Sequence, residues 1–176
     1  MADNYKSWGN LKKRLEKERL CDSLKGRVEY YYTSYHKVHN AYTCGGLRVD
    51  GKNALRFSWD KGLKNQEADM SRYQEENGRL DWNDVPQELK EKWDRDCIYS
   101  NGDFIAAIQK LFHLPIEEAL VSEDMIVRML AVLDRRTGKR TLQKLATDKK
   151  TKILPEWLKN VYRLRREADG ILFEDT

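Results

Sequence analysis

Residues 44–59 read CGGLRVDGKNALRFSW. Leu47 and Val49 flank Arg48, and Leu55, Phe57 and Trp59 alternate with Arg56 and Ser58, the period-two pattern of half-buried strands. Between the two runs lies Asp50-Gly51, a dipeptide that tolerates positive φ at both positions and so suits a two-residue hairpin turn. Upstream, residues 27–38 are rich in tyrosine, valine and threonine and supply a third strand. Cys44-Gly45-Gly46 reads as a break between that strand and the hairpin. The expected object is a three-stranded antiparallel meander. Only one of its faces needs to be apolar, so helices should cover that face.

The flanking sequence supplies those helices. Ser7 stands where an N-cap would, and Trp8, Leu11 and Leu15 mark one face of a short helix whose outer face carries Lys12, Lys13, Arg14 and Lys17. Residues 60–83 are polar, acidic and without a clean period, which reads as a long, partly helical connection and a candidate mobile segment. Asp84 with Gln87 would cap a helix through Leu89, Trp93 and Cys97. Phe104, Ile105, Ile108, Leu111 and Phe112 mark another, stopped by Leu114-Pro115. Pro115 would open a short helix, and Ser122 one lined by Ile126, Met129, Leu130 and Leu133 that ends at Gly138. Pro155 opens the last, through Leu158, Val161 and Leu164. The fold class is therefore α+β: an N-terminal helix, a three-stranded antiparallel meander, and a C-terminal helical cluster of five or six helices packed on the sheet. Residues 1–60 form the helix and meander, 61–83 the polar connection and 84–176 the helical part, all sharing one core.

The chain has 176 residues, 35% charged and 40% hydrophobic, as expected for a soluble globular protein. The longest apolar run, Met125–Leu133, is interrupted by Arg128 and is far too short for a membrane span. The opening MADNYKSWGN lacks a signal peptide's apolar core, which points to the cytoplasm. Cys21, Cys44 and Cys97 are odd in number and widely spaced, so reduced thiols are expected. The net charge of +4 hides a division along the chain: residues 1–59 carry 12 basic and 6 acidic side chains, 60–124 carry 8 and 16, and 125–176 carry 13 and 7. The basic ends could attract the acidic middle or meet an acidic partner.

The stretch VEYYYTSYHKVHNAY (28–42) invites a ligand-site reading. Alternation, however, puts Tyr30 and Tyr32 on one face and Tyr31 and Tyr35 on the other, so the tyrosines do not form one stacking platform. An exposed outer face would join Tyr31 and Tyr35 to Lys37, Arg48 and Arg56, a combination suited to nucleotides or single strands. His36 and His39 are three apart, hence on opposite faces of a strand, and with Cys44 they make no metal site, so no cofactor is expected. Glu29 with Asp50-Gly51-Lys52 echoes the acid and D-x-K set of metal-dependent nucleases, but the turn at Gly51 explains the triplet without a metal. The densest basic cluster is Arg135, Arg136, Lys139 and Arg140, where Asp134 could pair with Arg128 or Arg136. Part of that cluster reads as cations closing a helix C-terminus, and the remainder as a contact for phosphate or an acidic partner. No phosphate loop, nucleophile elbow or zinc-protease motif occurs.

The order WGNLKKRLE (8–16), LCDSLKGRVEYYYTSYHK (20–37), LRVDGK (47–52), LPIEEALVS (114–122) and LDRRTGKRTLQKL (133–145) resembles a family of small uncharacterised bacterial proteins, with LKGRVEY, VDGK and LDRRTGKRTL the most specific segments. The resemblance implies a bacterial cytosolic protein and nothing catalytic. NALRFSW (53–59) departs from it, standing where a more acidic, less aromatic strand would be expected. The function expected is a non-enzymatic binding or regulatory module that engages a protein partner through the sheet and the Arg135–Arg140 corner. Nucleic-acid or nucleotide binding by the same basic surface is the alternative, and a metal-dependent nuclease a weaker one. No membrane contact is expected.

Overall fold

A computed structural model describes residues 7–33 and 43–171. The chain opens with α1, Trp8–Lys13, which continues as one π-helical turn over Arg14–Arg19. Strands β1 (Val28–Thr33), β2 (Cys44–Val49) and β3 (Lys52–Ser58) follow in the spatial order β1-β2-β3, all antiparallel. Eight helices come next among the described residues: α2 (Leu63–Asn77), α3 (Gln87–Asp96), α4 (Asn101–His113), α5 (Ile116–Leu120), α6 (Met125–Leu133), α7 (Lys139–Thr147), α8 (Lys149–Lys152) and α9 (Glu156–Ala168). The architecture is the α+β arrangement that the periodicities predict.

The hairpin forms where the dipeptide places it. Asp50 and Gly51 have φ of 50° and 77°, so both central turn positions occupy the left-handed region. Tyr30 pairs with Leu47, and Leu47 with Leu55, which sets one apolar face. The register shifts beside Leu47/Arg48, leaving Ala54 as an extra residue in β3. Gly45 and Gly46 do not break the chain; both lie inside β2. A β-carbon on Gly45 would meet the Phe104 ring at 2.8 Å, and one on Gly46 the Leu55 carbonyl oxygen at 2.1 Å. The two glycines therefore admit α4 on one face and close strand approach on the other.

The core joins α1, the sheet and the later helices through buried Leu15, Tyr30, Leu47, Phe57, Phe104, Leu130 and Leu158. A file of rings crosses it. Trp8 lies 5.5 Å from Tyr32 and 6.2 Å from Phe104, Phe104 lies 5.0 Å from Phe57, and Tyr99 lies 6.1 Å from Phe57 and 5.9 Å from Trp157. These centroid spacings suit tilted and edge-on aromatic packing.

Four local expectations change. Residues 63–77 form a regular helix whose buried side chains are Gln66, Asp69 and Met70. Its inward stripe is held by polar bonds, Gln66 Nε2 donating to the Ile98 carbonyl at 3.0 Å and the buried Trp93 indole N–H to Asp69 at 3.0 Å, which apolar periodicity does not register. Asp84 ends a short 3₁₀ turn, and α3 begins after Pro86. Asp124, not Ser122, caps α6, accepting from the Ile126 and Val127 amides. Helix α6 stops at Leu133, and Gly138 is the N-cap of α7 rather than the end of α6.

Candidate binding surface

The basic corner starts where α6 ends. Asp134 follows Leu133 with its side chain fully buried, and Arg136 folds back onto it. The Arg136 amide donates to Asp134 Oδ1 at 2.8 Å, its Nη2 to Oδ2 at 2.8 Å, and its Nη1 to the Leu114 carbonyl at 3.2 Å. Buried Thr137 donates its hydroxyl to the Ala131 carbonyl at 2.6 Å. Of the two partners open to Asp134 in sequence, Arg136 is the one the fold uses. Arg136 is thereby largely consumed in holding the corner.

The same corner is laced to the N-terminal helix. The Cys21 amide donates to the Leu133 carbonyl at 3.0 Å and the Arg135 amide to the Arg19 carbonyl at 2.6 Å, with a β-bridge between Leu20 and Asp134. This brings the two basic ends of the chain side by side. The Arg14 guanidinium stacks 4.2 Å above the Phe112 ring, and Arg19 stands 5.9 Å from it. Partial burial, and then the charge of Arg136, push the Arg19 pKa below its ordinary value. Arg14, Arg19, Arg135 and Arg136 thus form a ridge of like charge.

Lys139 and Arg140 extend it onto the first turn of α7. Both are exposed; Lys139 donates to the Asp169 carbonyl at 2.8 Å, while the side chains of Arg135 and Arg140 make no hydrogen bond or ion pair among the described residues. Cations here oppose the helix macrodipole. The first turn of α7 holds no acidic residue, and Gly138 offers no side-chain cap. Closing the C-terminus of α9 accounts for Lys139, but helix termination does not account for Arg140.

The sheet candidates are differently placed. Tyr31 is 7% exposed rather than half open, because the Arg48 guanidinium lies 4.5 Å over its ring. Arg48 also donates to Glu29 at 3.3 Å and to Asn53 at 3.2 Å, and Arg56 sits 3.6 Å from Asp60. Tyr35, Lys37, His36 and His39 lie outside the described residues. Of the nuclease-like set, Glu29 is hydrogen-bonded to Lys12 at 2.8 Å, which holds its carboxyl below the usual range with help from Arg48. Asp50 is gripped by Arg27 at 2.9 and 3.1 Å, which lowers its carboxyl likewise. No group of three histidine, cysteine or acidic side chains among the described residues is arranged to hold a metal ion. Among the described residues no helix is long and apolar enough to cross a membrane.

Two features have no counterpart in the sequence reading. Asp94 accepts from the Tyr99 hydroxyl at 2.5 Å while its carbonyl accepts from the Trp157 indole at 2.7 Å. Burial pushes the Asp94 carboxyl up. Beyond Trp157, an apolar cleft of about 260 Å³ separates the β2–β3 hairpin from α9. Neither leaves a motif in the sequence, since Asp94, Tyr99 and Trp157 meet only through the packing of α3 on α9.

The architecture is that of an α+β chain with a three-stranded meander under a helical layer and an arginine ridge at one corner. Over residues 7–166 it matches the SF0329 protein family, and the chain belongs to that family. No curated protein and no solved structure matches it.

Proposed function

We propose that the protein is a non-enzymatic binding or regulatory module of the bacterial cytoplasm, and that it engages an acidic protein partner through the ridge of Arg14, Arg19, Arg135 and Arg140. The observation that carries this reading is the position of Lys139 and Arg140 at the wrong end of α7, where they weaken the helix they stand on. Lys139 also closes the end of α9, whereas no hydrogen bond or ion pair among the described residues occupies the Arg140 side chain. A protein partner suits this surface better than a single-stranded nucleic acid. Tyr31 is capped by Arg48 and the Phe112 ring by Arg14, so neither offers a face for base stacking. Acidic Glu18 also stands within the ridge, 3.7 Å from Arg14, which breaks the uniform positive track that a phosphate backbone prefers.

The test is a native pull-down with the full chain and with an R135E/R140E variant, the eluate being analysed for protein and for nucleic acid. The expected result is a co-purifying protein lost with the variant. An eluate dominated by nucleic acid, removed by nuclease and by moderate salt, replaces this reading with nucleic-acid binding by the same ridge. Identical eluates from the two chains refute both.

A further inference from the structure

The cleft under the hairpin is built on its upper side by Leu47, Val49 and Leu55 and on its lower side by Trp157, Val161 and Leu164 of α9. Beside it runs β3, the outermost strand on its side of the sheet. The two sheet edges are not alike. The edge at β1 is occupied, since the Tyr30 amide donates to Glu16 of the N-terminal helix at 2.9 Å. From Lys52 to Arg56 the outer edge of β3 has no backbone partner among the described residues, and every position there except Leu55 is exposed. An unpaired edge presents amide and carbonyl groups ready to take another strand.

The rim of the cleft is positive. Lys52 pairs across the hairpin with Val49 of the cleft lining, and Arg163 stands on α9, donating to Glu156 at 2.7 Å. Asn160 accepts from Arg163 at 2.6 Å and is the one amide side chain lining the cleft among the described residues.

We propose that β3 and the cleft beneath it form a peptide-docking edge, which takes a short extended segment of a partner protein in which acidic and apolar residues alternate. Strand alternation sends every second side chain of the added segment toward the apolar lining, and leaves the intervening carboxylates beside the basic rim. A second copy of this chain fits less well, because an antiparallel β3–β3 pair centred on Ala54 would set Lys52 of each copy against Arg56 of the other. The inference uses no property of the arginine ridge and stands or falls separately from it.

The test titrates the full-length protein with a short synthetic peptide of alternating aspartate and valine, and with the same peptide carrying lysine for aspartate. Amide hydrogen exchange over residues 52–56 is followed alongside the binding isotherm. The aspartate peptide is expected to bind, to slow exchange along β3, and to bind about tenfold more weakly to an N160F variant whose ring fills the cleft. The exposed substitution K52E should weaken the aspartate peptide and strengthen the lysine one, a readout that survives if N160F misfolds. R135E/R140E should bind the aspartate peptide as the wild-type chain does. Equal affinity for both peptides overturns the proposal, as does binding without protection of β3 or loss of binding in R135E/R140E. Protection of β3 that rises with protein concentration alone assigns the edge to self-association and also overturns it.

Discussion

Arg136 closes on Asp134 with Nη2 2.8 Å from Oδ2, and the Asp134 side chain has no exposed surface at all. The pair ties the end of α6 to the Leu114 carbonyl ahead of α5. Removing the arginine leaves a buried carboxylate with only backbone support. Arg136→Ala should cost about 3 kcal/mol in urea unfolding. Arg136→Lys should recover part of that cost but not all, because an ammonium cannot reproduce the forked contact.

Asp69 anchors α2 to α3 by accepting from Lys92 at 2.5 Å and from the Trp93 indole at 3.0 Å. Asp69→Ala leaves the buried indole N–H without its partner. A loss of about 1–3 kcal/mol is expected, with a change in tryptophan fluorescence that marks the site directly.

Gly46 has the Leu55 carbonyl oxygen where a β-carbon would stand, at 2.1 Å. That oxygen belongs to the backbone of a paired strand and cannot swing away. Gly46→Ala should destabilise by about 2–4 kcal/mol in thermal or urea unfolding. Gly51→Ala, in open space at the hairpin tip, should cost less, about 1 kcal/mol, set by its φ of 77° rather than by a clash.

Asp94 gives stability a pH dependence of defined sign. Burial raises its carboxyl, Asp124 and Glu91 act in the same direction, and the Tyr99 hydrogen bond and the Arg128 charge oppose them. In the unfolded chain the group titrates at about 3.9. Between that value and its higher folded pKa the native state binds more protons than the unfolded one. The Asp94 contribution is therefore favourable at acid pH and lost as pH rises through the folded value. Carboxylates lowered in the fold, such as Glu29 and Asp50, slope the other way, so the informative quantity is a difference. The stability of wild type minus that of Asp94→Asn, measured against pH, should fall as pH rises above the ordinary aspartate range. A flat difference would show that Asp94 titrates normally.

The hairpin was legible because a single dipeptide carries it: Asp50-Gly51 has few conformations open to it other than the one it adopts. The ridge was half legible. Arg135, Arg136, Lys139 and Arg140 stand out in the sequence, but Arg14 and Arg19 reach them only through bonds such as Arg135 to Arg19, which local pattern does not encode. Helix α2 is hard to see in the sequence because Gln66 and Asp69 take inward positions that are apolar in an ordinary amphipathic helix. Alternation gives Tyr31 the same face as Glu29, yet its burial depends on Arg48 reaching across from β2 to cover it. Gly45 and Gly46 resemble turn residues in sequence; only the rings and carbonyl packed against them show them to be strand residues.

The bridge between Leu20 and Asp134 spans most of the chain. Contacts so far apart in sequence close a large loop, and the entropy of closing it must be met before they stabilise anything. During synthesis from the N-terminus, Arg14 and Arg19 leave the ribosome long before the segment that aligns them. A nascent or truncated chain that stops short of Asp134 carries those arginines without a ridge. The ridge therefore exists only in a chain that has been made past Arg135 and folded back onto its first helix.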